Sequence, residues 1–349
     1  MQIQASFKVL FAAVVLIATG CGSQEGARSA LTGKVGAAGE IVVVCDPAVW
    51  EGEIGDTLRA IFDQPFPVLP QFEPWFDLVH LEPASFDRFW KPHRNIMVLE
   101  LADRADTQSA TVSIYREKYS REQIYVTGSA RRSGDLALEL ADRATELLSV
   151  FHREEVSRYA GLIALDENEV MRAELGSRAK LELTVPRDAR WAKKNESFLW
   201  IDRQLTRMKG GDNHDVQQGF FIYREPYVDD NQFTMSERLK ARNAALRKHV
   251  SGPTPGSYMT TEMRYTPSYE EVVFNGAFAS ELRGLWRLEG DYMGGPFYSL
   301  TTYDERSGEL VTVEGYAYAP FFDKREYMRE VEAIVRSLSW YEEPVAQQP

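Results

Sequence analysis

The 349-residue chain carries 40 Lys+Arg against 52 Asp+Glu, a formal net charge of −12, with 44% apolar and 12% aromatic residues. That composition can bury a core and is not that of a disordered chain; its acidic balance speaks against a nucleic-acid partner, because phosphate contacts need a basic field. Cys21 and Cys45 are the only cysteines, which excludes a disulfide framework and a Cys-rich zinc site.

Lys8 is followed by an apolar run over residues 9–18. The run is shorter than the ~20 residues that span a bilayer and has the length of a signal-peptide core. It ends in Ala18-Thr19-Gly20-Cys21, which resembles a bacterial lipobox with Ala18 where Leu is usual. Residues 1–20 are therefore expected to be a lipoprotein signal peptide and Cys21 the acylated (palmitate-type) anchor, each buried CH₂ adding about 0.8 kcal/mol. Residues 21–39, rich in Gly, Ala and Ser, form the expected flexible tether. The expected location is the bacterial cell envelope, at the outer membrane.

The globular part is divided into an N-terminal half, 40–165, and a C-terminal half, 166–343, with a tail at 344–349. Ile41–Val44 reads as a buried strand, and Cys45 beside it as a packed residue rather than a nucleophile. Gly55-Asp56-Thr57 opens a short helix. Strands are expected at 76–81, 96–99 and 123–126, and one long helix from Asp135 to Arg158, whose Leu136, Leu140, Leu147 and Phe151 recur at helical spacing. His152, in an Arg-Glu-Glu stretch of that helix, is expected to be solvated.

In the second half Asp166 and Glu169 have capping-box spacing. Leu181, Leu183 and Val185 alternate, 219–223 is a compact strand, and Ser236 begins a helix to Val250 with a basic outer face of Lys240, Arg242, Arg247 and Lys248. Strands follow near 271–274 and 280–288. A hairpin over 297–303 and 309–318 and an amphipathic helix from Lys324 to Trp340 close the chain. The expected class is α+β, each half a mainly antiparallel sheet with packed helices. Ala48-x-Trp50 and Ala189-x-Trp191 recur at a shift of 191 − 50 = 141 residues, a hint of internal duplication.

No G-x-S-x-G, H-E-x-x-H, P-loop or G-x-G-x-x-G occurs. Ser177-Arg178-Ala179-Lys180 lacks a companion K-T-G. Residues 210–215 (Gly-Gly-Asp-Asn-His-Asp) offer metal-ligating groups but lack calcium-loop order, so a polar surface loop is the simpler reading. No metal or other cofactor is implied. The candidate ligand-binding residues are His93, Arg94 and Asn95, a polar triplet leading into a strand, together with Asp291 in the Gly-rich turn 290–297. Arg94 could hold an anion or sugar by paired hydrogen bonds, or could pair with a carboxylate and hold the fold.

Five segments, 39–44 (GEIVVV), 69–74 (LPQFEP), 93–96 (HRNI), 290–297 (GDYMGGPF) and 314–320 (EGYAYAP), resemble the Bacteroidetes lipoproteins called domain of unknown function 4837, over almost the whole mature chain. The resemblance implies a lipid-anchored envelope protein and carries no activity with it. Two functions stand open. One is a non-enzymatic module that binds an envelope protein or glycan. The other is a periplasmic hydrolase working through carboxylates, for which a cleft with two facing carboxylates of perturbed pKa would speak.

Overall fold

The computed structural model describes residues 33–102 and 109–342. The expected signal peptide, Cys21 and most of the expected tether lie outside the described residues. The first half contributes β1 (Glu40–Val44), α1 (Pro47–Trp50), α2 (Glu53–Phe62), β2 (Asp77–Leu81), β3 (Asn95–Leu101), β4 (Thr111–Arg116), β5 (Ile124–Ala130), α3 (Ser133–Asp142) and α4 (Ala144–Leu165). The five strands form one sheet in the order β2-β1-β3-β5-β4.

The α+β class holds, but this sheet is mainly parallel where an antiparallel one was expected. β1 pairs β2 and β3 in parallel and β3 pairs β5 in parallel; only β4 runs against β5. The connections are longer than they look in the sequence. α1 and α2 fill the one between β1 and β2, and residues 82–94 carry the chain back to β3 on the other side of β1. Such crossovers let strands run parallel. Burial on both faces follows: Ile41, Val43 and Cys45 face a core with α2, α3 and α4, whereas Val42 and Val44 pack against Phe86 and Trp90 of the 82–94 segment.

The expected long helix is two. The break falls at Arg143, whose backbone leaves helical geometry and whose guanidinium bonds the Val112 carbonyl and Glu146.

The second half is α5 (Glu169–Ala179), β6 (Leu181–Glu182), β7 (Arg190–Lys194), β8 (Phe198–Lys209), β9 (Asp212–Pro226), α6 (Met235–His249), β10 (Tyr258–Thr261), β11 (Ser268–Phe274), β12 (Ala277–Glu289), β13 (Gly294–Asp304), β14 (Glu309–Tyr318), α7 (Arg325–Val335) and β15 (Ser339–Trp340). Here the antiparallel expectation holds. The large sheet runs β10-β12-β13-β14-β9-β8-β7, with β11 paired to β12 beside β10. Gly210 and Gly211, both at positive φ, make the turn of the long β8–β9 hairpin, so residues 212–215 are strand rather than loop. α5 is capped by Asn168, whose side chain accepts from the Met171 N–H, not by Asp166. The Ala-x-Trp pair falls on α1 in one half and across the start of β7 in the other, in sheets of different strand order.

α7 lies on β13, β14 and β9 through Met328, Val331, Ile334 and Val335, all buried, and its other side meets α4. Phe66, Val156 and Ile163 of the first half share one apolar core with these residues. α6 covers the opposite face of the large sheet. Its Arg242 is not on a solvated face: it is 1% exposed, binds Glu314 through two 2.8 Å hydrogen bonds and lies 3.6 Å above the Phe297 ring. Fully paired, the buried guanidinium is tolerated there.

Candidate functional site

The triplet at the mouth of β3 is a buried network. His93 Nε2 meets Glu40 Oε1 at 2.6 Å, and the Asn95 amide donates to the Glu40 carbonyl (2.9 Å) and to Glu155 Oε1 (2.8 Å). Arg158 from α4 donates to Glu155 (2.8 Å), to Asn95 Oδ1 (3.0 Å) and to the carbonyls of Arg94 and Glu122 (both 2.9 Å). Arg94 pairs with Glu155 at 3.3 Å. These contacts tie the β3 start to α4, so the structural side of the two readings of Arg94 has its carboxylate. Asp291 stands apart from this network. It accepts from Thr254 Oγ1 at 2.7 Å and from the Tyr292 N–H, and the Thr254 bond, then the Tyr292 bond, hold its carboxyl below the usual range. The neighbouring glycines serve packing: a methyl on Gly295 would sit 2.1 Å from the Ala317 carbonyl oxygen. Among the described residues no cluster of three or more His, Cys, Asp or Glu could hold a metal. Burial, then Asp46, pushes the Cys45 thiol up to about 11, away from thiolate chemistry.

A different place gathers the chemistry. Between α4 and the β11–β12 edge lies a cleft of about 810 Å³. Leu148, His152, Val156 and Ala160 of α4 form one wall, Val272 and Val273 of β11 the other, and α7 the floor. Trp75 closes one side, its ring edge-on to His152 at 5.0 Å. The four α4 residues are spaced by four, one row along the helix. That row was the signal available in the sequence. Its apolar members place His152 on an inward face, and the expectation of a solvated histidine is overturned: His152 is 9% exposed.

On the floor, Glu332 of α7 accepts from His152 Nε2 (3.0 Å) and Arg336 Nε (2.9 Å) and pairs with Arg283 of β12 (2.9 Å). Arg336 also bonds Glu281, and Arg283 lies 3.9 Å from the same carboxylate. Two acids and two bases thus close a square, with His152 on its rim. β12 supplies Glu281 and Arg283 from one face because alternate residues share a face. Arg283 stacks 4.3 Å above the ring of Tyr298.

Burial alone would raise the Glu332 carboxyl, but Arg283, then His152 and Arg336, outweigh it and hold it well below the carboxylate range. Burial lowers the His152 imidazole, against the pull of Glu332. Nε2 faces the Glu332 carboxylate at 3.0 Å, an arrangement in which a neutral ring donates Nε2–H and leaves Nδ1 as the acceptor. Nδ1 has no hydrogen-bond partner among the described residues. Burial, then Glu281, raises the Tyr298 phenol well above its ordinary value.

Comparison with family models divides the chain. Residues 34–163 match a model described as Domain of unknown function (DUF8532), and residues 168–337 one described as Domain of unknown function (DUF4837). The resemblance drawn above from five segments is thus supported for 290–297 and 314–320, whereas 39–44, 69–74 and 93–96 fall in the other match. The comparison with curated proteins found no match. The chain is similar, half by half, to two domains whose descriptions name no activity.

Proposed function

We propose that this chain is a lipid-anchored cell-envelope protein, held through Cys21, that binds a partner in the cleft between its two halves without turning it over. The observation that carries this reading is the state of the floor. Glu332 meets three donors, and Glu281 accepts from Arg336. The carboxylates are fixed charges that shape a surface, where a hydrolase needs one carboxyl protonated and the other free. Apolar walls around a few placed polar groups are the usual make-up of a binding cleft. The lipobox-like 18–21 supports the anchor. No helix among the described residues is long and apolar enough to cross a membrane.

Ser157, exposed at the cleft, is the position for a blocking change. Chemical cross-linking of the full chain in intact envelopes, read by mass spectrometry, should return partners that Ser157→Trp loses while its melting midpoint is kept. The same partners at the same yield with the cleft filled would overturn the reading.

A further inference from the structure

Among the described residues β11 pairs with β12 along one edge and with no strand along the other. Glu270, Val272 and Val273 of this strand line the cleft, and Val273 is 79% exposed. An open strand edge is a row of unpaired N–H and C=O groups, ready to pair with a further chain. The two exposed acids at 270 and 271 discourage pairing with a second copy of β11 by like-charge repulsion, so the edge selects among strands.

The charges around the cleft are also unevenly used. Glu281, Arg283, Glu332 and Arg336 neutralise one another. Arg153 on the α4 wall has no carboxylate partner among the described residues, its guanidinium meeting only Ser149 Oγ at 2.8 Å. Glu270 on the β11 wall has no basic partner among them either. The cleft therefore presents one free cation, one free anion on the opposite wall and an open backbone edge.

Resting on the cleft reading above, we propose that the ligand is an extended peptide segment that adds a strand to β11. Its backbone pairs with the open edge. A basic side chain or amino group meets Glu270, a carboxylate meets Arg153, and an apolar side chain lies against Trp75, Val156 and Val272. A glycan can stack on Trp75, but it has no alternating amide ladder to satisfy the edge. At about 3.3 Å per residue the seven residues of β11 match a peptide of similar length. This is strand addition, in which the main chain supplies affinity and the side-chain positions supply choice.

The probe is a synthetic library of linear hexapeptides, each carrying one Lys or Arg and one Asp or Glu, read by fluorescence anisotropy on the full chain. Members should bind wild type and not Ser157→Trp. N-methylation of alternate residues of a binder should weaken it by about tenfold per lost backbone hydrogen bond, with intervening positions unaffected. Glu270→Lys should shift preference from basic to acidic side chains at one position. Absence of binders, or N-methylation that acts equally at every position, overturns the peptide assignment. If envelope cross-links at the cleft persist in that case, the cleft reading survives and only the ligand class falls; if they too are absent, both fall.

Discussion

His152 and Glu332 are 180 positions apart in the sequence and 3.0 Å apart in the fold, joining α4 of the first half to α7 of the second. Glu332 also holds Arg283 and Arg336, so this one carboxylate organises the cleft floor.

Replacing it should be costly. Glu332→Gln leaves two guanidinium groups short of a partner in a buried site, a loss of about 3–5 kcal/mol for breaking a buried pair. Acid should act through the same pair. The lowered Glu332 carboxyl contributes stability that is present above its ordinary value of 4.5 and is lost as pH falls below it. The lowered His152 has the same sign: below 6.5 the unfolded chain takes up a proton that the folded ring resists. Melting midpoints of wild type should decline as pH drops below about 6.5 and again below about 4.5. His152→Gln should reduce the first decline, to which the lowered His249 also contributes, and Glu332→Gln should reduce the second, which it shares with other lowered carboxylates such as Glu326. Midpoints independent of pH from 8 to 4 would contradict the assignment.

At the mouth of β3, Arg158 should matter more than Arg94. Arg158 is 2% exposed and donates to Glu155, Asn95 and two carbonyls. Arg94 reaches Glu155 at 3.3 Å, and neither its Nε nor the facing Oε2 has a hydrogen-bond partner among the described residues. Arg158→Ala should cost about 3–5 kcal/mol and Arg94→Ala about 1–2 kcal/mol in chemical denaturation. The reverse order would show that Arg94 carries the contact.

α7 binds both halves to one core. Burying an apolar side chain of this size is worth about 1.5–3 kcal/mol, and a charge in its place has no partner. Ile334, fully buried, should not tolerate Asp. A soluble Ile334→Asp protein that melts cooperatively at the wild-type midpoint would refute the packing.

The proposed anchor makes a separate prediction. Cys21→Ser should either release the protein from membranes or leave its signal uncleaved, as fractionation and N-terminal sequencing would show. A correctly cleaved variant that stays membrane-bound would exclude lipidation as the attachment.

What the sequence displayed was local. The spacing of Met328, Val331, Ile334 and Val335 is enough to place α7, and the residues around the 304–308 turn are enough for the β13–β14 hairpin. Strand direction in the first sheet was not displayed, because Val42 and Met97 read the same in either direction and only the crossover decides. The β8–β9 hairpin was hidden because its outer ends are polar, with Arg207, Lys209, Asp212 and Asp215 near the Gly210-Gly211 turn. The floor of the cleft was hidden for another reason. Glu281, Glu332 and His152 come from three elements, and no local pattern reports a meeting across 180 residues. Only the i, i+4 row through Leu148, His152 and Val156 pointed inward, and the charges beside it masked the signal.

The claim on which the account rests is that the cleft is where the partner sits. A photo-cross-linking residue placed singly at Thr145 or Val273, both at the cleft, and at Leu138, exposed on α3 and not part of its lining, tests it in intact cells. The account predicts a discrete adduct from the first two positions, none from Leu138, and loss of both adducts with Ser157→Trp. An adduct from Leu138 with none from the cleft positions would contradict it.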